Sequence, residues 1–364
     1  MTQATQCERI GKEGYVFDGF ERLLKSARQP GLNELRALLE QIVTTRGKHS
    51  RLVAEQKLVR SRVYRLRFEV DGEPFSVVVK RFPPNRAQRE RSALSRWLPA
   101  AKLAGNLPTL LGSAAASEGH WIWHAYEDLG DWSLATDAMN EARVSAAISL
   151  IARVHARFMG NRMLGEIRAS GGDLGAGFLG ACIRDAQAAL RAIRKPEVSV
   201  TPEQEALRDR LLGKLDELHV QAPARAADLA QAGGNETLVH GDLWTSNVMV
   251  LPVEPEGWHA KMIDWDHCGV GPLVYDLSTF LLRFEPQYRN RVLDLYRSAI
   301  EHEAGIQLPG RDRLNELFQT CEYARLVNAL VWPAIGAGDP APQWAFDELL
   351  EVERWIESMQ QVLP

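Results

Sequence analysis

Two short apolar runs, 238–239 and 248–251, flank a polar loop, and a third run, 262–263, ends directly on Asp264. The polar loop carries three side chains able to do chemistry: His240, Asp242 and Asn247. Carboxylate and amide groups at the ends of buried strands are costly unless they meet a metal, a cation or a substrate. The stretch from 238 to 276 therefore predicts a binding or catalytic site, and it constrains the fold more than any other part of the chain.

The spacing within this stretch matches a kinase signature. Asn247 lies five residues after Asp242, as in the catalytic loop in which the Asp takes a hydroxyl proton and the Asn holds Mg²⁺. The pattern H-G-D-x-x-x-x-N, followed by I-D-W and then Y-D-L, resembles the aminoglycoside phosphotransferase and choline kinase-like enzymes. A polar loop between two core strands, the structural alternative, would not require both carboxylates and the asparagine at these offsets.

The resemblance implies an α+β, two-lobed, protein-kinase-like fold, with a small antiparallel-sheet N-lobe and a larger, mainly helical C-lobe. It also implies a role for each polar residue. Asp242 is the candidate base or hydroxyl-orienting carboxylate, and Asn247 and Asp264 are candidate Mg²⁺ ligands. His240 is expected to brace the loop through hydrogen bonds. Asp276 is expected to accept backbone N–H bonds from the loop, a structural role.

Trp244 departs from the histidine common at its position in the family. The sequence HGDLW is instead similar to the fructosamine kinase and ecdysteroid kinase-like branches, although a packing role for Trp244 is an equal alternative. Asp266 is expected to support the metal ligands or to face solvent.

The N-terminal part shows a hairpin pattern. Residues 64–70 alternate apolar and charged side chains, Asp71 and Gly72 give a turn signal, and residues 75–79 form a return strand that ends on Lys80. Upstream, apolar residues at helical spacing predict an amphipathic helix over 32–43, whereas residues 1–19 show no clear period.

A helix capped by Asn85 and extending through Leu98 is predicted to follow the hairpin. Glu90 lies on its otherwise apolar face, where an unpaired carboxylate would be penalised. A Lys80–Glu90 pair resolves this and resembles the kinase pair that positions the α- and β-phosphates. A purely structural ion pair remains the alternative.

The phosphate-covering loop is expected just before the hairpin, in residues 57–63. The family usually has glycines here, whereas this segment has none, so Ser61 is the candidate to supply a hydroxyl and an amide to the phosphates.

A strand over 120–126 leads into E-D-L-G, which resembles the family's inter-lobe hinge. The resemblance implies that adenine bonds the backbone C=O of Glu127 and the backbone N–H of Leu129. ATP and GTP both remain open as donor. The expected domains are an N-lobe over 1–126, a hinge over 127–131 and a C-lobe over 132–364.

The C-lobe is predicted to be helical. Apolar periodicity predicts helices over 141–159, 181–194, 203–230, 287–303, 312–330 and 343–361, with a mobile glycine-rich connection over 160–180. His155 lies on an apolar stripe and is expected to be a satisfied core histidine. In the family, the helical insert and the C-terminal helices build the acceptor pocket. A mixed face is one candidate lining, with packing as the alternative: Glu322, Tyr323, Arg325, Asn328 and Trp332.

Bulk properties exclude several other classes. The net charge of −4 gives no electrostatic footprint for nucleic acid, and the four cysteines are scattered without a C-x-x-C pair. No apolar run approaches the ~20 residues that span a bilayer, and the first residues lack the apolar core of a signal peptide. These properties predict a cytoplasmic protein, and the resemblance implies a Mg²⁺-dependent phosphotransferase using ATP or GTP. The alternatives are a catalytically silent nucleotide-binding protein and a protein kinase, and the oligomeric state stays open.

Overall fold

The computed structural model describes residues 16–19, 29–59, 62–134, 139–193, 200–337 and 343–364. The chain divides into two compact units. The first, here the N-terminal unit, comprises residues 1–94 and 108–130, and the second, the C-terminal unit, comprises residues 95–107 and 131–364. The lobe and hinge boundaries expected from the sequence stay predictions.

The N-terminal unit is built on one sheet. Its elements are β1 (Val16–Asp18), α1 (Leu32–Thr44), β2 (His49–Val59), β3 (Val63–Val70), β4 (Glu73–Phe82), α2 (Pro84–Ser92), β5 (Leu110–Ala115) and β6 (Ile122–Glu127). The strand order is β1-β2-β3-β4-β6-β5, antiparallel except for β1, which runs parallel to β2. Residues 16–18 thus form a strand in a segment whose residues show no clear period. The apolar face of α1 packs on the sheet, with Leu35 and Leu39 fully buried.

The predicted hairpin is confirmed. Its strands are β3 and β4, and its turn places Asp71 and Gly72 at φ values of 48° and 89°, the left-handed conformation that a tight two-residue turn requires. The predicted alternation fails at Arg65, which is buried rather than solvent-facing. The expected loop over 57–63 is also too long, since β2 extends through Val59 and β3 begins at Val63.

The helix after the hairpin begins one residue earlier than the expected cap. Pro83 occupies the N-cap position and Pro84 the first turn, so Asn85 does not cap the helix, and its side chain instead accepts from the N–H of Arg86. A π-helical turn at Ala93–Trp97 follows α2, and α3 (Leu98–Ala100) ends the segment.

The C-terminal unit is mainly helical. After α3 its elements are α4 (Glu141–Phe158), α5 (Leu164–Ser170), α6 (Phe178–Ala192), α7 (Pro202–Ala232), β7 (Glu236–Val239), β8 (Val248–Val253), β9 (Gly257–Met262), β10 (Gly269–Pro272), α8 (Val274–Leu282), α9 (Pro286–Ala304), α10 (Arg311–Gly336) and α11 (Gln343–Glu357). The six predicted helices are confirmed, but the glycine-rich 160–180 segment is not a plain connection, since α5 and the start of α6 lie in it.

One apolar core joins α6, α7, α10 and α11. Helix α7 begins with a capping box, in which Thr201 Oγ1 accepts from Gln204 N and Gln204 Oε1 accepts from Thr201 N. Within the described ranges, no helix combines the length and apolar character needed to cross a bilayer.

Candidate functional site

Two loops of the C-terminal unit carry the residues that the sequence singled out. The HGD loop (residues 240–247) connects β7 to β8, and the IDW loop (residues 263–268) connects β9 to β10. Because Val239 pairs with Gly269 and Val248 pairs with Met262, both loops lie at the same end of these two antiparallel strand pairs. The Ile263 N–H also donates to the Asn247 carbonyl over 3.0 Å. The fold therefore brings the two loops together.

The glycine of the HGD loop is required by both conformation and space. Gly241 has a φ of 82°, and a Cβ there would lie 2.1 Å from the carbonyl oxygen of His267 in the IDW loop. A side chain would force the two loops apart, because Cβ atoms do not approach backbone atoms below about 3 Å. Gly241 therefore sets the close approach of the loops.

A buried carboxylate holds the start of the HGD loop. Asp276, in α8, accepts from the His240 N–H (2.6 Å) and the Gly241 N–H (2.9 Å). His155 Nε2 lies 3.3 Å from the same carboxylate, and His155 Nδ1 lies 2.7 Å from the Tyr296 hydroxyl. Burial alone would raise the pKa of Asp276, but the hydrogen bond and charge of His155, the charge of His240 and the His240 N–H reverse this, and the pKa is lowered below its usual 3.8. Asp276 is thus held as an anion.

The His240 ring connects the two loops. It is fully buried, its Nε2 donates to the Ile263 carbonyl over 2.8 Å, and it lies against the Trp265 ring at a centroid distance of 4.7 Å. Because Nε2 makes this bond, the ring connects the HGD loop to the IDW loop. Because the ring is fully buried, a substrate cannot contact it.

Asp242 and Asn247 are half-buried in the HGD loop. Asn247 Nδ2 donates to the Asp242 carbonyl over 2.9 Å, which fixes the amide with its oxygen available as a ligand. Asp264 adopts the left-handed conformation (φ 68°, ψ 57°) directly before the short 3₁₀ turn of the IDW loop, Trp265–His267. A non-glycine residue in this region is uncommon and marks a constrained position.

These residues fit Mg²⁺ supplied together with phosphate. An amide oxygen and a carboxylate suit Mg²⁺, which keeps several waters and phosphate oxygens in its shell. In the part of the chain that the structure describes, no cluster of three or more His, Cys, Asp or Glu is arranged to hold a metal by itself.

In the N-terminal unit, Glu90 belongs to a buried hydrogen-bonded chain. The Tyr126 hydroxyl donates to Glu90 Oε1 over 3.2 Å and lies 3.0 Å from His124 Nδ1. Lys80 pairs with His124 in the β4–β6 ladder, and its ammonium lies 4.5 Å from the centroid of the Phe82 ring. Burial, together with the charges of Arg91 and Lys80, lowers the pKa of His124 to about 4. The Lys80–Glu90 pair itself stays a prediction.

The segment expected to contact adenine is braced by Asp128. This carboxylate accepts from the Gly130 N–H (2.9 Å) and the Ser76 hydroxyl (2.8 Å), and lies 2.8 Å from Arg65 Nε in a buried ion pair. Glu127 ends β6, and its Oε1 accepts from the Thr109 N–H. The backbone contacts predicted for Glu127 and Leu129 stay predictions.

The remaining N-terminal candidate, Ser61, lies outside the described residues, as does Arg60 beside it.

Three partners of the site were missed from the sequence. His155 is the satisfied core histidine that the sequence predicts, but its bond to Asp276 of the site was not foreseen. Asp128 and His124 were not singled out. Two of these connections have no local signal, because the partners are distant along the chain: Asp276 lies 121 residues after His155, and Asp128 lies 52 residues after Ser76. His124 contacts Tyr126, only two residues away, and that hydrogen bond leads on to Glu90, which is distant in the sequence.

The mixed face predicted on α10 does not act as one surface. Glu322 is buried, where its Oε1 accepts from Ser278 Oγ (2.7 Å) and Arg325 (2.6 Å). Tyr323 faces a different neighbour, Arg225 of α7, and Trp332 is 71% exposed. The helix turns these side chains in different directions, so they do not form a single pocket wall.

Comparison with known proteins agrees with this architecture. The sequence model described as the phosphotransferase enzyme family matches residues 56–317. None of the curated proteins matches the sequence.

Among solved structures, the fold is similar to that of Plasmodium vivax ethanolamine kinase (TM-score 0.56, 11% identity, covering 82% of this chain and 80% of that one). It is also similar to the choline kinase LicA from Streptococcus pneumoniae (TM-score 0.52, 12% identity, 90% and 100% covered). A third similar structure is that of APH(2")-IIia with GDP and kanamycin (TM-score 0.53, 16% identity, 83% and 94% covered). The predicted α+β, protein-kinase-like fold is confirmed.

Proposed function

Because the chain belongs to the phosphotransferase enzyme family, we propose that this small-molecule kinase moves the γ-phosphoryl group of ATP or GTP to a hydroxyl. The observation that carries the proposal is the joining of the HGD and IDW loops, which gathers Asp242, Asn247 and Asp264 at one end of two strand pairs. Nucleotide use is supported by the GDP bound in one structural neighbour, and a small alcohol acceptor by the choline and ethanolamine kinases.

Each residue then has a task in phosphoryl transfer. Asp242 orients the acceptor hydroxyl and takes its proton, which comes late because the transition state is loose. Asn247 Oδ1 and the Asp264 carboxylate would hold Mg²⁺, which neutralises the charge of the β- and γ-phosphate oxygens when bound. Lys80, positioned by Glu90, would contact the α- and β-phosphates. Asp276, His155 and His240 keep the loop in place.

A protein kinase fits less well. Only eleven residues separate Asp264 from Asp276, and they form the 3₁₀ turn, β10 and the start of α8. This leaves no room for an activation loop of the kind that receives a regulatory phosphate. The glycine-free 57–63 segment supports the alternative of a catalytically silent nucleotide-binding protein. Measuring Mg²⁺-dependent nucleotide turnover distinguishes such a protein from an enzyme.

The test is a phosphotransfer screen read by mass spectrometry. The purified chain, Mg²⁺ and ATP or GTP are incubated with aminoglycosides, amino alcohols, sugars, sugar acids and nucleosides, with Asp242→Asn as the control. We expect one phosphate on at least one acceptor, reduced 10²- to 10⁴-fold in the variant while Mg²⁺–nucleotide binding is kept. Mg²⁺-dependent nucleotide binding without any transfer would favour the silent protein, and equal transfer by Asp242→Asn would remove Asp242 from the chemistry.

A further inference from the structure

A guanidinium is stacked on the HGD loop beside Asp242. Arg283, directly after α8, lies with its guanidinium carbon 3.7 Å from the centroid of the Trp244 ring. Trp244 follows Asp242 by two residues, and its N–H donates to the Asp242 carbonyl over 2.9 Å. The Trp244 side chain is 41% exposed, so the stacked pair faces a region that a small molecule can reach.

Arg283 has unused hydrogen-bond donors. Its Nε is buried, and among the described residues no acceptor bonds it. Burial lowers the pKa of Arg283, whereas the nearby carboxylates of Glu322 and Asp242 act in the opposite direction. Nη1 and Nη2 also make no hydrogen bond among the described residues, and a guanidinium stacked on a ring keeps these in-plane N–H groups directed outward. The arrangement is therefore suited to a planar, bidentate anion.

The neighbouring arginines are already engaged. Arg289 Nε donates to the Phe284 carbonyl and its Nη1 to the Val362 carbonyl. Arg325 is bonded to Glu322 and to the Tyr275 carbonyl. Arg325 also has a buried Nε without an acceptor, but both of its terminal nitrogens are bonded, whereas Arg283 makes no side-chain hydrogen bond among the described residues.

The carboxylates on the C-terminal helices are compensated as well. A cavity of about 190 Å³ lies between α10 and residues 359–362 and is lined by three acids: Asp312, Glu316 and Glu322. Each lies close to an arginine: Asp312 to Arg311 (3.7 Å), Glu316 to Arg313 (2.7 Å) and Glu322 to Arg325 (2.6 Å). A cationic acceptor would find no uncompensated acid among these three, whereas an anionic one finds Arg283.

We propose that the acceptor of this kinase carries an anionic group, a carboxylate or a phosphate, which Arg283 binds on the face of Trp244. Binding there directs a hydroxyl of the same molecule toward Asp242. The inference rests on the proposed function, since it assigns an acceptor class to the same site. It separates this chain from enzymes of the family that act on aminoglycosides or amino alcohols.

The experiment uses acceptors matched except for charge. One set is glycerol, glycerate and glycerol 3-phosphate, and a second is glucose, gluconate and glucose 6-phosphate; kanamycin and choline represent cations. Binding to the full chain loaded with Mg²⁺ and a non-hydrolysable ATP analogue is measured by calorimetry, and phosphate transfer from ATP is measured alongside. The carboxylate and phosphate members of each set distinguish the two anions.

We expect anionic members to bind and react at least tenfold better than their neutral partners. Arg283→Gln is expected to remove this preference by raising KM or Kd for the anions tenfold or more, with Mg²⁺–nucleotide binding unchanged. Arg283→Lys keeps the charge but loses the two parallel N–H donors of the guanidinium. Its KM or Kd for the anions is expected to lie between the values of the unmodified chain and of Arg283→Gln. Arg354→Gln, on the exposed face of α11, is the matched control and should change nothing.

Two results overturn the proposal. One is that the anionic members of both sets bind no better than the neutral members or the cations kanamycin and choline. The other is an Arg283→Gln variant that slows acceptor-independent ATP hydrolysis and transfer to every acceptor equally, because Arg283 would then contact the transferred phosphoryl group. Failure of the proposed function is recognised separately, as loss of Mg²⁺-dependent nucleotide binding and turnover in the unmodified chain.

Discussion

At the scale of single residues, Asp276 links the helices to the HGD loop. Its fully buried carboxylate receives two loop N–H groups and lies against His155, so removing its charge leaves donors facing an amide. We expect Asp276→Asn to lower the free energy of unfolding by about 3 kcal/mol at pH 7, as for loss of a buried, charged hydrogen-bonding partner. Urea unfolding measures this directly.

The pH dependence of that difference gives a second readout. Because folding lowers the pKa of Asp276, its charge stabilises the protein above pH 3.8 and this contribution is lost as the pH falls through the folded-state pKa. The difference in free energy of unfolding between the unmodified chain and Asp276→Asn should therefore become smaller below pH 3.8. A gap that is the same at pH 7 and pH 3 would contradict the assignment of charge to Asp276.

At Asp264, the contribution of the backbone conformation can be tested separately from that of the carboxylate. Its φ of 68° is tolerated by asparagine, so Asp264→Asn should keep the IDW loop intact while weakening a metal ligand. We expect Mg²⁺-dependent nucleotide binding to weaken tenfold or more, with thermal stability of the unliganded chain nearly unchanged. Titration of Mg²⁺ at fixed nucleotide concentration measures this, and an unchanged Mg²⁺ requirement would exclude Asp264 as a ligand.

At the scale of elements, β6 and α2 share the chain of His124, Tyr126 and Glu90. Since the Tyr126 hydroxyl donates to Glu90, neutral His124 donates from Nδ1, and protonating it places a charge in a buried site beside Lys80. Folding lowers the pKa of His124 from 6.5 to about 4, so stability is complete above pH 6.5 and falls as the pH drops toward 4. The loss amounts to about 3 kcal/mol.

His124→Gln tests whether protonation of His124 causes this loss of stability. The variant keeps a hydrogen-bonding group but does not titrate, so its free energy of unfolding should change much less between pH 6.5 and pH 4.5 than that of the unmodified chain. Chemical unfolding at several pH values is the measurement. His302→Gln, on the exposed surface of α9, serves as a control and should keep the full pH dependence.

The elements also show what the sequence could and could not predict. The β3–β4 hairpin, the long helices and the pattern from 238 to 276 carry their signals in adjacent residues, through alternation, turn chemistry and spacing. Arg65 was wrongly placed on the solvent face because its ion pair with Asp128 joins residues 63 positions apart. The stacking of Arg283 on Trp244 joins residues 39 positions apart and has no local signature at all. Polar contacts between residues far apart in the chain are therefore the part of this structure that local sequence patterns do not predict.

At the scale of the whole molecule, nucleotide binding should increase the thermal stability of the folded chain. A ligand that binds only the folded state adds about 2.7 kcal/mol at a hundredfold excess over its Kd. We expect Mg²⁺ with a non-hydrolysable ATP analogue to raise the Tm of the full chain by several degrees, and the analogue with EDTA to raise it less. Differential scanning calorimetry measures both.

Lys80→Ala should remove most of that rise, because Lys80 is assigned to the α- and β-phosphates, while the Tm without nucleotide stays close to that of the unmodified chain. Lys214→Ala is the matched control, since Lys214 is a surface lysine of α7 paired with Glu217 over 3.0 Å. Removing such a surface pair costs about 0–1 kcal/mol and should leave the nucleotide-dependent rise intact. An equal rise in both variants would remove Lys80 from the nucleotide site and leave its ammonium, beside the Phe82 ring, with a packing role.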